Sequence, residues 1–208
     1  SLHQTWLLIT QGRIEEATRL LKNLKQKLSV AELKPEQSWM QTVVASAMAF
    51  LSRPEKISGL LPDYRLVEEI PAEESILRNI TDFLYVMTLG RQGELESAVD
   101  VATKCVEKGK NLTGMMASHS LVPFLTRGYL MQGRLHEAAA LCCANLEPMG
   151  SEPQLNDIAG SVKIDLGEVL YEWNRLEEAE QYIRDGLQDN EPWQNIMSDG
   201  FGLTALIR

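Results

Sequence analysis

The 208-residue chain is 44% hydrophobic and 24% charged, ordinary for a soluble globular protein and long enough to bury a core in one or two domains. Aromatic residues are 6% of the chain while Leu, Ala and Glu are plentiful, which favours helix over sheet. A net charge of -9 with no basic stripe argues against a stand-alone nucleic-acid binder, and no apolar run approaches the roughly 18 residues that cross a membrane.

The opening SLHQTWLLITQGR lacks a basic n-region and a sustained apolar core, so it does not read as a signal peptide, and a soluble, cytoplasmic protein is expected. It reads instead as a helix of about ten residues, without a polar cap, that stops at Gly12. From Gly12 the chain reads GRIEEA, a segment that returns as GELESA from Gly93, GRLHEA from Gly133 and NRLEEA from Asn174. The intervals are 81, 40 and 41 residues, so the first is two periods and a further copy is due near residue 53. There the sequence is RPEKIS, with Pro54 suited to a first helical position.

Each position in the segment carries a physical expectation. Gly12, Gly93, Gly133 and Asn174 are residue types that tolerate positive φ and so can end one helix and turn the chain. Two residues later, Ile14, Leu95, Leu135 and Leu176 are expected to plug the open end of a helix hairpin. Five residues later, Ala17, Ser58, Ala98, Ala138 and Ala179 are small enough to let the paired helices approach closely.

Helical spacing of apolar residues flanks the later turns. Leu121, Phe124, Leu125 and Met131 precede Gly133, with Pro123 a kink or late start, and Leu135, Ala138, Ala139 and Cys142 follow it. Ile158, Val162, Leu166, Val169, Leu170 and Trp173 precede Asn174, and Leu176, Ala179, Ile183 and Leu187 follow. Breakers fall between these pairs at Ser29 to Pro35, Pro71, Gly109 to Gly114, Pro148 to Pro153 and Asn190 to Pro192. The expectation is an all-α chain: residues 1–208 form one right-handed superhelical α-solenoid of five tetratricopeptide-like hairpins with a period near 40 residues. Trp193 to Arg208, with Ile196, Met197, Phe201, Leu203, Leu206 and Ile207, reads as a first helix without its partner, as expected of a piece of a longer array.

Charge is unevenly placed. Glu147 to Glu191 holds 12 acidic and 3 basic residues, whereas Arg13 to Lys34 holds 6 basic and 3 acidic. Cys105, Cys142 and Cys143 have no CxxC spacing, and with His3, His119 and His136 as the remaining soft ligands they read as reduced helix cysteines, not a metal site. No GxxxxGK[ST] phosphate loop is present, and His119 between Ser118 and Ser120 cannot form a local triad because adjacent helix residues diverge. Neither a cofactor nor catalysis is therefore expected in these residues.

The segments WLLITQGRIEEATRLL, ILRNITDFLYVMTLGRQGELESAV, GYLMQGRLHEAAALC and DLGEVLYEWNRLEEAEQYIRDGL resemble the tetratricopeptide-like region of MalT-type regulators, ATP-binding transcription activators of the bacterial LuxR class. The resemblance runs from about residue 6 to 206 and is most specific from Leu166 to Gly186. It implies an effector-sensing arm in which a small-molecule inducer or regulatory protein engages the array and the parent protein self-associates to activate transcription. Nucleotide and DNA binding would then belong to other domains of that parent. No ligand residues of the family map onto a clear motif here.

Counting back from each turn, residues expected on the groove formed by successive first helices are Phe83, Met87, Arg91, Phe124, Arg127, Asp165, Glu168, Tyr171 and Glu172. The Phe and Met side chains are read mainly as packing. Asp165, Glu168 and Glu172 share a helical face by their spacing of three and four, and the simplest reading of that face is a solvated one. The alternative to a sensing arm is a free-standing tetratricopeptide scaffold for protein assembly. A groove that clamps peptide carboxylates would need Lys, Arg and Asn where the chain has Phe83, Met87, Phe124, Asp165 and Glu168.

Overall fold

A computed structural model describes residues 1–30, 38–53, 60–71, 74–109, 121–150, 156–190, 202–204 and 206–207. The chain is all-α: the described residues hold no strand. Their helices include α1 (Leu2–Thr10), α2 (Ile14–Val30), α3 (Trp39–Leu51), α4 (Tyr64–Glu68), α5 (Ser75–Gln92), α6 (Leu95–Gly109), α7 (Leu121–Met131), α8 (Leu135–Gly150), α9 (Asn156–Glu172) and α10 (Leu176–Asn190), and residues 202–204 and 206–207 are also helical. The chain divides into two compact units, Ser1–Cys105 and Val106–Arg208. None of the described helices is long and apolar enough to cross a membrane.

Four turns are built alike, and the repeated segment explains why. Gly12, Gly93, Gly133 and Asn174 have φ of 70°, 81°, 71° and 58°, in the left-handed region that glycine and asparagine enter at least cost. At each one its own N–H donates to the carbonyl three residues back, at 2.8–3.1 Å. The next N–H donates to the carbonyl five residues back, at 2.9–3.1 Å. This pair of bonds is the Schellman arrangement, which satisfies carbonyls left open where a helix ends. The following helix starts at once, since Ala17, Ala98, Ala138 and Ala179 each donate to the carbonyl four residues back at 2.9–3.0 Å.

The small residues sit where close approach demands them. Ala17, Ala98, Ala138 and Ala179 are all buried, and α2, α8 and α10 pack on α1, α7 and α9 respectively. Of the residues expected to plug the hairpin ends, Ile14 and Leu176 stand 42% and 52% exposed, whereas Leu95 and Leu135 are half-buried. All four occupy the first position of their helices. Met131, in the last turn of α7, is likewise exposed. A polar cap that the sequence reading did not foresee is present: Ser1 Oγ accepts from the Gln4 N–H at 3.2 Å and caps α1. Pro123 falls in the first turn of α7, where a missing N–H removes no helical hydrogen bond. Pro54 and Ser58, and Trp193 to Phe201 of the expected final helix, lie outside the described residues; Leu203 and Ile207 are exposed.

In the first unit the core gathers Leu21, Val44, Ala47, Ile80 and Leu84 from α2, α3 and α5, with Trp6 of α1 packed against it. In the second, α9 packs on α7, α8 and α10 and carries the buried Val162, Ile164, Leu166, Val169 and Leu170. Its contact with α10 is glycine-lined: a Cβ on Gly186 would lie 2.5 Å from the Gly160 carbonyl oxygen, so the two backbones touch there.

Candidate functional site

The expected groove residues fall in both units. Within the first, Phe83, Met87 and Arg91 belong to α5. Phe83 is half-buried and meets Trp6 edge-to-face, with ring centroids 6.2 Å apart, so its role is packing; Met87 is also half-buried. The Arg91 guanidinium donates to the carbonyls of Phe50 and Ser52, the latter at 2.7 Å, and lies 5.9 Å from the Phe50 ring centroid. Arg91 thus caps the C-terminal carbonyls of α3, where a cation is favoured.

The first unit also holds a polar cluster that the sequence reading missed. The Tyr64 hydroxyl of α4 donates to Asp82 Oδ1 of α5 at 3.0 Å and lies 3.1 Å from Cys105 Sγ of α6. Asp82 and Cys105 are buried. Burial first, then the neighbouring Asp82 and Cys105, holds the phenol far above its usual range, so the hydroxyl stays protonated. Its effect is to anchor the short α4. One signal was available: Asp82 interrupts the apolar run ITDFL and needed a buried donor.

Three of the expected residues come together in the second unit. Arg127 of α7 forms ion pairs with Asp165 and Glu168 of α9, one guanidinium nitrogen to each carboxylate. The solvated face expected for Asp165, Glu168 and Glu172 is therefore corrected. Asp165 is 4% exposed, Glu168 is partly buried and only Glu172 is exposed, because α7 packs across that side of α9. Phe124 and Tyr171 are half-buried. Burial, with Glu168 adding to it, outweighs the stabilising Arg127 and raises the Asp165 carboxyl to about 7.

Behind this cluster the Cys142 thiol of α8 donates to Thr126 Oγ1 at 3.6 Å, and Thr126 donates in turn to the Val122 carbonyl at 2.9 Å. Burial and the nearby Asp165 push Cys142 up to about 12, so it is a neutral packing group. Cys105 is also buried, but Cys143 is exposed. The described residues contain no cluster of three or more potential metal ligands. His136 is exposed, with its ring centroid 5.2 Å from that of Trp173.

A second set of charges repeats with the turns. Arg13–Glu16, Arg134–Glu137 and Arg175–Glu178 are ion pairs at the same place in their segments. The Arg hydrogen bonds hold Glu16, Glu137 and Glu178 below the usual carboxylate range. All three pairs are solvent-exposed and add little stability.

The Arg127 cluster joins α7 to α9, and the Tyr64 cluster joins α4 to α5 and α6. Comparison with protein-family models, curated proteins and solved structures finds no match to the chain.

Proposed function

We propose that the chain is a non-catalytic, tetratricopeptide-like binding segment, the effector-sensing arm of a MalT-like regulator of the bacterial LuxR class. In this reading the hairpins repeat with a period near 40 residues and stack into a right-handed superhelix. A small-molecule inducer or regulatory protein engages the groove along the first helices. Its binding is coupled to self-association of the parent protein in the cytoplasm, and DNA contact belongs to a separate domain.

The observation that carries the reading is the set of four identical turns at Gly12, Gly93, Gly133 and Asn174, spaced by one or two periods. Contacts one period apart support it within each unit. Arg91 reaches Phe50 and Tyr64 reaches Cys105 in the first, and Arg127 reaches Glu168 in the second, each across 41 residues. Such contacts are what stacked repeats make with their neighbours. The likeness of Leu166 to Gly186 to the MalT-type region supplies the narrower assignment.

The coding sequence that encloses these 208 residues tests the proposal directly. A phosphate-loop ATPase encoded upstream and a helix-turn-helix downstream is the expected result. A reading frame that encodes neither overturns the sensing-arm assignment and favours the free-standing scaffold.

A further inference from the structure

Arg127, Asp165 and Glu168 place two carboxylates on one guanidinium at the junction of two hairpins, α7 with α8 and α9 with α10. These three groups together carry one more negative than positive charge, and Asp165, only 4% exposed, is the one removed from water. An unbalanced buried charge is costly, and the least solvated acid relieves it by taking a proton.

The groups acting on Asp165 come from each neighbouring side. Arg127 faces it from α7, Glu168 from its own helix and the neutral Cys142 thiol from α8. The charge pair between α9 and α10, Lys163 with Asp189 at 2.6 Å, lies elsewhere on α9, because residues two apart on a helix are turned by about 200°. Among the described residues Arg127 is thus the cation that acts on Asp165. Protons have access, since the Arg127 and Glu168 side chains are 21% and 20% exposed.

We propose that this cluster is a proton-operated latch between the two hairpins: with Asp165 ionised the joint holds an unbalanced charge, and uptake of one proton by Asp165 relieves it and tightens the joint. The inference does not rest on the sensing-arm assignment. Its sign differs from that of an ordinary ion pair. The folded-state carboxyl lies above its unfolded counterpart near 3.9, so the folded chain binds the proton more tightly. The stabilisation is complete at acid pH and is lost as pH rises through about 7.

The test is carboxyl-carbon NMR of the intact chain labelled at aspartate, titrated from acid to alkaline pH, with the Asp165 signal assigned by its loss in Asp165→Asn. The expected midpoint for Asp165 is near neutrality. Glu168→Gln removes the like charge and should lower that midpoint by about one pH unit or more. Over the same range, the melting temperature of the parent should fall relative to Asp165→Asn as pH rises. A midpoint in the ordinary carboxylate range, or one that Glu168→Gln leaves unmoved, overturns the latch. The parent titration alone decides if a variant fails to fold.

Discussion

Gly186→Ala probes the backbone contact between α9 and α10. A methyl group there would lie 2.5 Å from the Gly160 carbonyl oxygen and 2.8 Å from Ile164 Cγ1. A carbon–oxygen contact normally needs at least about 3.3 Å, so α10 must retreat from α9 by roughly 0.8 Å. The obstacle is backbone and cannot swing aside. Overpacking that displaces backbone costs about 1–3 kcal/mol, while alanine in a helix interior is favoured over glycine by about 1 kcal/mol. With the cost in the upper half of its range, the variant is destabilised by about 1–2 kcal/mol. For a unit of about 100 residues that is a fall in melting temperature of roughly 5–15 °C. Calorimetry of the parent, Gly186→Ala and the exposed control Gln188→Ala separates packing from propensity. A Gly186→Ala protein that melts with or above the parent would refute the reasoning, since helix propensity alone predicts that result.

Ala138→Leu and Ala179→Leu, at buried crossings of α8 on α7 and α10 on α9, should each destabilise by about 1–3 kcal/mol in denaturant melts. Unchanged midpoints would show that these crossings have room to spare. At the turns, Gly133→Ala places a β-carbon at φ 71° and should cost about 1–2 kcal/mol despite open space around it. Asn174→Gly, by contrast, should stay within about 0.5 kcal/mol of the parent, because both residues tolerate φ of 58°. Equal losses at the two positions would mean that side-chain contacts, not backbone conformation, hold these turns.

Local chemistry made much of the fold legible in the sequence. A residue that accepts positive φ, followed five positions later by a small residue and flanked by helical apolar spacing, defines a hairpin without reference to the rest of the chain. The four turns and the buried alanines at 17, 98, 138 and 179 follow from that rule. The same arithmetic placed Arg127, Asp165 and Glu168 on neighbouring helices one period apart.

What the pattern could not supply is which side of each helix another helix covers. Asp165 and Glu172 share a face by spacing, yet one is buried beneath α7 and the other remains in water. Ile14 and Leu176 are apolar, yet they stand exposed at the hairpin ends. Tyr64, Asp82 and Cys105 meet only because α4 docks where its hydroxyl reaches two other helices. Periodicity along one helix determines the direction of a side chain about that helix's own axis. The burial, the partner and the proton affinity of that side chain depend on a neighbour distant in sequence, and only the tertiary structure brings that neighbour into place.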